Sequence, residues 1–327
     1  MSWKTIGQVT SATAAPPKHK ALQELDGVNA LIDWTSVEAK LSDLHTSPRG
    51  EKAWPPLMMF KALLLQSWYN LSDPGLEKLL VRDLLFRMFV GLSVTDAVPD
   101  HSTLWRFRQQ LAKDGRIEIL FKEINDQLSQ QGLLIKEGTI SIIDASVIEA
   151  KRCRPNKNSE GESTQDPEAG WNVKTASDGK TKTVYGFKLH ANVDEDGFVK
   201  NTAVTPANTH DSQVFTPLLE GDEAAVYADS AYKGQEHDKL LKKQEIDNRI
   251  IRRAYRNHPL SAADKRFNRR HAGVRSIVER VFGIFKQHYG MAKARYLGVR
   301  RNHVRYQVMC MAYNIKRGVA IQEEMCA

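Results

Sequence analysis

The chain has 327 residues, 41% hydrophobic and 26% charged, enough apolar content for one large domain or two ordinary ones. No apolar run approaches the roughly 18 residues of a membrane helix, and the best stretch, Leu57 to Leu65, is short and contains Lys61. An apolar leader is lacking, and the three cysteines (Cys153, Cys310, Cys326) are scattered with no CxxC pair. Export, a disulfide framework and a zinc ribbon are therefore disfavoured, no membrane partner is expected, and a reducing cytoplasm fits best. The net charge of +8 is unevenly placed. Between Ile251 and Arg317 stand 17 Lys or Arg against two acids, Asp264 and Glu279, an excess of +15 that leaves −7 for the rest. Aromatic residues interleave the basic segment (Tyr255, Phe267, Tyr289, Tyr296, Tyr306), which favours nucleic acid as the polyanion partner over a merely solubilising surface.

In chain order, residues 1–20 are polar, contain Pro16-Pro17 and read as a flexible tail. From 21 to 135 the pattern is helical. Pro55-Pro56 precedes a helix over Leu57–Leu71, and Asp73-Pro74 supplies a cap and first turn for a helix from Leu76 to Gly91. Ser102–Ala112 follows the Pro99-Asp100 turn, and Arg116–Gln131 carries Ile117, Leu120, Ile124 and Leu128 at helical spacing. The character changes after Gly138. Thr139–Ile143 is β-branched and reads as a buried strand, and the polar stretch 152–183 reads as an insertion loop. A hairpin follows, Val184–Val193 and Phe198–Thr205 joined by Asp194-Glu195-Asp196-Gly197. Helix Ser212–Leu219, strand Ala224–Ala228, helix Gln235–Gln244 and strand Arg249–Ile251 alternate, and helices Val274–His288 and His303–Lys316 close the chain. The expected architecture is an α/β domain over 136–320, a mixed sheet flanked by helices, preceded by an all-α domain.

Three acids stand out by their settings. Asp144 ends the apolar strand Ile142-Ile143, and Asp229 ends Val226-Tyr227-Ala228. Ligands of open α/β sheets collect at strand carboxyl ends, although each aspartate taken singly reads more readily as a turn or cap residue. Glu279 lies on a helix whose Val274, Ile277, Val278, Val281, Phe282 and Phe285 form a buried stripe. Arg275, Glu279 and Lys286 fall within roughly 40° of each other along one border of that stripe. An i,i+4 ion pair of Arg275 with Glu279 is the plain alternative. Against it, Glu279 is one of only two acids in a segment built to attract phosphate. Clustered carboxylates on rigid elements are what two Mg²⁺ ions about 3.5–4 Å apart require for phosphodiester cleavage and transfer, with Mn²⁺ able to substitute.

These residues resemble the DDE transposases of bacterial insertion sequences, in the group named for insertion sequence five. Arg275, Glu279 and Lys286 match the Arg-x3-Glu-x6-Lys core of that group's motif. Asp144 in Asp-Ala-Ser-Val-Ile-Glu-Ala and Asp229 in Ala-Asp-Ser-Ala-Tyr match its aspartate motifs. Ser67–Asp73, Pro99–Thr103 and Lys293-Ala294-Arg295-Tyr296 are similar too, so the likeness runs from about residue 50 to 315. The family's tyrosine three residues before Arg275 is alanine here, Ala272. The resemblance implies an RNase H-like catalytic domain, an all-α N-terminal DNA-binding domain, and a bacterial enzyme working at the nucleoid. It also implies cleavage of double-stranded DNA at terminal inverted repeats and transfer of the 3′-OH ends into target DNA, with no covalent enzyme intermediate. Because two ends must meet, a homodimer on DNA is expected.

His190, His210 and Tyr232 fall near the aspartate motifs and are candidates to support the metal site, with capping of the helix near Ser212 the competing reading for His210. For DNA, Arg106 and Gln109 on the Ser102–Ala112 helix are candidates for base edges and Arg108 for a phosphate, while core spacing of Leu104, Phe107 and Leu111 argues for plain packing. Arg275, Lys286, Lys293, Arg295, Arg300 and Arg301 are candidates for backbone phosphates. Two other classes stay open: a catalytically silent transposase-derived DNA-binding regulator, and a metal-dependent nuclease without strand transfer.

Overall fold

The computed structural model describes residues 3–7, 18–44, 52–113, 115–134, 139–151, 158, 165–175, 181–221, 223–255 and 258–326. It divides into two compact units, the first 1–133 with 307–327, the second 134–306. Residues 307–320, expected in the second domain, thus count with the first. Trp68 Nε1 donates to Ala312 O at 2.7 Å, and the buried Asn314 donates to Asn125 Oδ1 at 2.9 Å. Among the described residues no helix is long and apolar enough to cross a membrane.

The first unit is helical: α1 (Asp26–Leu31), α2 (Trp34–Ala39), α3 (Pro56–Trp68), α4 (Asp73–Arg82), α5 (Leu84–Val90), α6 (His101–Leu111) and α7 (Arg116–Gln130). The chain start, expected from its composition to be a flexible tail, is tied down at Trp3. Trp3 bridges Ala53 and its indole donates to Leu44 O at 3.3 Å, whereas residues 8–17 lie outside the described residues. The single helix expected from Leu76 to Gly91 is two. Asp83 leaves helical geometry (φ −99°, ψ 121°), and its carboxylate accepts from Phe86 N at 3.1 Å, so one residue ends α4 and caps α5. Ser72, rather than Asp73, caps α4, accepting from Gly75 N at 3.1 Å. Gly91 closes α5 at φ 82°, the left-handed conformation a glycine stop provides.

The second unit is built on a six-stranded mixed sheet: β1 (Ile140–Glu149), β2 (Gly170–Thr175), β3 (Thr181–Val193), β4 (Val199–Pro206), β5 (Ala225–Ala228) and β6 (Asp247–Asn248). β3 runs antiparallel between β1 and β4, while β5 is parallel to β1 and β6 parallel to β5. This meander of three antiparallel strands extended by parallel strands is the RNase H-like arrangement that the resemblance implied. The short helix α8 (Phe215–Leu218), with Tyr232, Leu241 and Ile250, covers Ile143, Val226 and Ala228 of the sheet. Helix α10 (Ala262–His288) buries Val278, Val281, Phe282 and Phe285, as their spacing predicts, and packs on β1, β3 and β5. It starts well before the expected Val274 because Ser261 and Asp264 form a reciprocal capping box. Helix α9 (Gln235–Lys243) precedes β6, and α11 (Val299–Cys326) ends the chain.

Part of the stretch expected as an insertion loop is strand. Residues 165–175 and 181–183 contain β2 and the start of β3, whereas 152–157, 159–164 and 176–180 lie outside the described residues. Its polar composition conceals a short alternation, Trp171 and Val173 on one face, Asn172 and Lys174 on the other. Where β3 passes from β2 to β1, Gly186 is required. A Cβ there would stand 1.9 Å from Ile148 O, closer than any side chain tolerates.

The turn after β3 holds a buried carboxyl, Asp194, 2% exposed. Burial pushes its pKa up to about 7, against the hydrogen bond from Phe198 N and with further upward pressure from Asp196 and Glu195. Because the folded pKa lies above the unfolded one, the stabilising protonated form is present at low pH. It is lost as pH rises through about 7, at a cost on the order of 2–4 kcal/mol. Chemical denaturation of the wild type is expected to show this contribution falling between about pH 4 and 7 and levelling off above. Asp194→Asn, which keeps the acceptor for Phe198 N, should flatten that fall, and parallel curves for the two proteins would refute the assignment.

Candidate active site

Strand β1 pairs with β5 from Ile140↔Ala225 to Ile143↔Ala228, and the next residue on each strand is an aspartate. Asp144 and Asp229 therefore emerge side by side at one level of two neighbouring parallel strands. Asp144 does not end its strand, as its apolar run suggested; β1 continues to Glu149 against β3, and only the ladder with β5 stops there. Asp229 turns the chain instead. It caps the 3₁₀ turn Ser230–Tyr232, its carboxylate accepting from Ser230 N.

The third acid comes from α10. Arg275 Nη2 lies 3.8 Å from Asp144 Oδ2 and 3.8 Å from Glu279 Oε1, so the guanidinium stands between an acid of the sheet and an acid of the helix. Arg275 Nε is buried with no hydrogen-bond partner. Asp144 Oδ1 accepts from Ala145 N at 2.8 Å. Burial raises the Asp144 carboxyl to about 6, opposed by Ala145 N–H and Arg275 and reinforced by the charges of Asp229 and Glu279. The three acids thus share one electrostatic neighbourhood. An open cleft of about 580 Å³ runs beside it, with Asp144 and Glu149 on the floor and Glu279, Phe282, Gly283 and Lys286 on the helical wall. Asp229 does not line that cleft but stands at the adjoining end of β5. Burial, then the charges of Lys174 and Lys182, push the Lys286 ammonium below its ordinary range.

Do these residues suit a divalent cation? Carboxylate oxygens are the donors that Mg²⁺ takes, and a cluster of acids in which one is held half-protonated near pH 6 gains from a cation. Among the described residues, however, no three His, Cys, Asp or Glu are packed closely enough to hold an ion as they stand. Glu279, its side chain 62% exposed, is the member free to swing inward. The donor chemistry fits.

Residues 135–315 match the model of the Transposase DDE domain, and residues 13–110 match that of a Transposase domain (DUF772). The chain belongs to the DDE transposases. Enzymes of this family cut and join DNA and use divalent metal ions. Among solved structures, the chain is similar to a pre-cleavage Mos1 transpososome (10% identity, 81% of this chain and 97% of that one, TM-score 0.20). It is also similar to the Mos1 strand transfer complex (10% identity, 94% and 98%, TM-score 0.19) and to a Mos1 paired-end complex with the left transposon end (10%, 80% and 96%, 0.19). Membership rests on the family models and not on these superpositions.

The remaining candidates of this transposase divide sharply. His190 is fully buried and faces Ala145 across the β1–β3 ladder, on the side of the sheet opposite Asp144. Its Nε2 meets Thr205 Oγ1 at 2.9 Å, and burial pushes its pKa down to about 4. His210 caps the turn Asp211–Val214, Nδ1 accepting from Ser212 N at 3.3 Å, which is the capping alternative. Tyr232 is fully buried against Phe215, its hydroxyl has no hydrogen-bond partner, and burial followed by the charges of Asp211, Asp144 and Asp229 holds it above the ordinary phenol range.

On α6, Arg108 is not available to a phosphate. It is 2% exposed, with Nη2 donating to Asp73 Oδ1 at 2.7 Å and to Gln66 Oε1 at 2.8 Å. A buried, paired guanidinium is a packing element. Arg106 is exposed and folds back on Ser102 Oγ at 2.9 Å, and Gln109 is half-buried. Lys293 is exposed, held beside the end of β1 because Glu149 N donates to Ala292 O (3.0 Å) and Ala294 N to Glu149 O (2.7 Å). Arg300 is exposed at the start of α11, Arg295 and Arg301 are half-buried, and the charge of Arg301 bears on Asp166. Residues that the sequence reading missed line the cleft from the other wall: Asn172, Lys174, Lys182 and Val184. The period-two alternation of 171–174 was the available signal.

Proposed function

We propose that this DDE transposase mobilises an insertion sequence of the insertion sequence five group, cutting double-stranded DNA at terminal inverted repeats and joining the freed 3′-OH ends to target DNA. What carries the reading is the pair of aspartates leaving adjacent parallel strands at one level, with Glu279 of α10 reaching the same arginine as Asp144. Asp144, Asp229 and Glu279 would hold two Mg²⁺ ions, which Mn²⁺ can replace. When bound, the metal supplies an activated water or 3′-hydroxyl and stabilises the leaving oxygen.

The chain's own part is positioning. β1 and the turn after β5 fix the two aspartates, and the helical wall brings Glu279 and Lys286 to the same cleft. Arg275, now shared by two carboxylates, becomes available to a non-bridging phosphate oxygen once those carboxylates turn elsewhere. Arg106 and Gln109 remain candidates for reading the repeat, and Lys293, Arg295, Arg300 and Arg301 for its backbone. A homodimer would hold the two ends together.

The test supplies DNA bearing the element's inverted repeats and then pre-cleaved 3′ ends with a supercoiled target, in Mg²⁺, Mn²⁺ or EDTA. Metal-dependent nicking followed by joined product is expected. Hydrolysis without joined product would favour a nuclease, and binding without either would favour a silent regulator.

A further inference from the structure

The hairpin of β2 and β3 is two-faced. Asn172↔Val184 and Lys174↔Lys182 are cross-strand partners on the face that lines the cleft, whereas Trp171↔Tyr185 and Val173↔Thr183 lie on the other. Like charges placed directly opposite each other on antiparallel strands destabilise the pair. Among the described residues no carboxylate forms an ion pair with Lys174 or Lys182, while the charge of Asp144 bears on Lys286. Between these lysines and the floor, the side-chain amide nitrogen of Asn172 is buried with no hydrogen-bond partner. An unmet buried donor is costly and uncommon. The hairpin wall and Lys286 therefore bring three ammonium groups and the amide nitrogen of Asn172 to one part of the cleft, with Glu149 of the floor lying between them and Asp144.

We propose that Lys174, Lys182 and Asn172 form a phosphate-binding wall that grips the backbone of the DNA strand being cut, at a fixed distance from the scissile bond. This rests on the reading of the cleft as the DNA-cleaving site and adds how the substrate lies in it. The non-bridging oxygens of the phosphodiester backbone accept from such donors, and their charge offsets the repulsion between the paired lysines. The wall also meets Lys286, seven residues along α10 from Glu279, about 10 Å at 1.5 Å per residue. The strand thus runs lengthwise through the cleft, from the hairpin lysines to the acids.

The experiment uses the full chain and a fluorescein-labelled duplex oligonucleotide, with anisotropy titrations from 50 to 200 mM salt. Lys174→Gln with Lys182→Gln should weaken binding about tenfold and flatten the slope of log affinity against log salt by about 2, since each lost phosphate contact removes about 0.9. Lys174→Arg with Lys182→Arg should restore both, and Asn172→Asp, which sets an anion among the lysines, should weaken binding on its own. Lys239→Gln with Lys242→Gln on α9 serves as the surface control. Far-UV circular dichroism identifies any variant that fails to fold, and for these the arginine pair and Asn172→Asp carry the decision. An unchanged salt slope in the folded glutamine pair, or wild-type binding by Asn172→Asp, would overturn the proposal. Failure of the underlying reading looks different: the wild type would not bind the duplex, or nicking would persist without Asp144, Asp229 and Glu279.

Discussion

Replacing Asp144 with asparagine is expected to lower metal-dependent nicking by at least about 10³-fold, some 4 kcal/mol of transition-state stabilisation, while the protein folds as well as before or better. Asparagine has nearly the same shape and keeps an oxygen for Ala145 N, the one hydrogen bond the carboxylate makes with the backbone. What it removes is the charge. In the metal-free protein that charge is unfavourable, since burial and two neighbouring acids raise the carboxyl to about 6. With the folded pKa above the unfolded one, ionisation above pH 6 costs stability, and the substitution relieves on the order of 2 kcal/mol at pH 8. DNA binding should be equal or slightly stronger, because one anion has left the cleft. Nicking, thermal melting at pH 8 and anisotropy together form the check. A carboxylate kept only for structure would give the reverse, a lower melting temperature with activity lost only in proportion. Asp229→Asn and Glu279→Gln are expected to behave alike in nicking.

The second large effect concerns stability. Arg108→Ala should destabilise the first unit by about 3–5 kcal/mol, the range for breaking a buried ion pair from one side. Asp73, its side chain 15% exposed, and the buried Gln66 would then be left without the guanidinium that satisfies them both. At a few degrees per kcal/mol for a unit of this size, the melting transition should fall by about 10 °C. Lysine should rescue little, because a single ammonium cannot reproduce the fork that meets Asp73 and Gln66 together. Arg106→Ala, two residues away and exposed, should leave melting unchanged. If Arg108→Ala melted like wild type but lost DNA affinity with a reduced salt slope, the arginine would be a phosphate contact after all.

That contrast shows where local pattern stops being informative. Arg106 and Arg108 have the same chemistry on one helix, and helical spacing alone puts them 200° apart. Which one is covered depends on Asp73 and Gln66, whose places near α6 are set by packing. Asp83 is a similar case. The apolar period runs on from Leu76 to Val90, and only the carboxylate's preference for capping Phe86 N breaks one expected helix into two. The hairpin lysines are a third, since four alternating residues in a polar stretch carry too short a period to stand out until β3 supplies their partners.

The sequence by itself determined the alternation of elements, the buried stripe of α10, the aspartates following two apolar runs and the concentration of positive charge, because each is written in the order of neighbouring residues. Tertiary structure decided which charges meet. The shared level of Asp144 and Asp229 depends on the register of β1 with β5, and the approach of Glu279 on the way α10 lies against the sheet. Strand register and helix docking are settled by the packing of side chains remote from one another in the chain, and no local pattern encodes them.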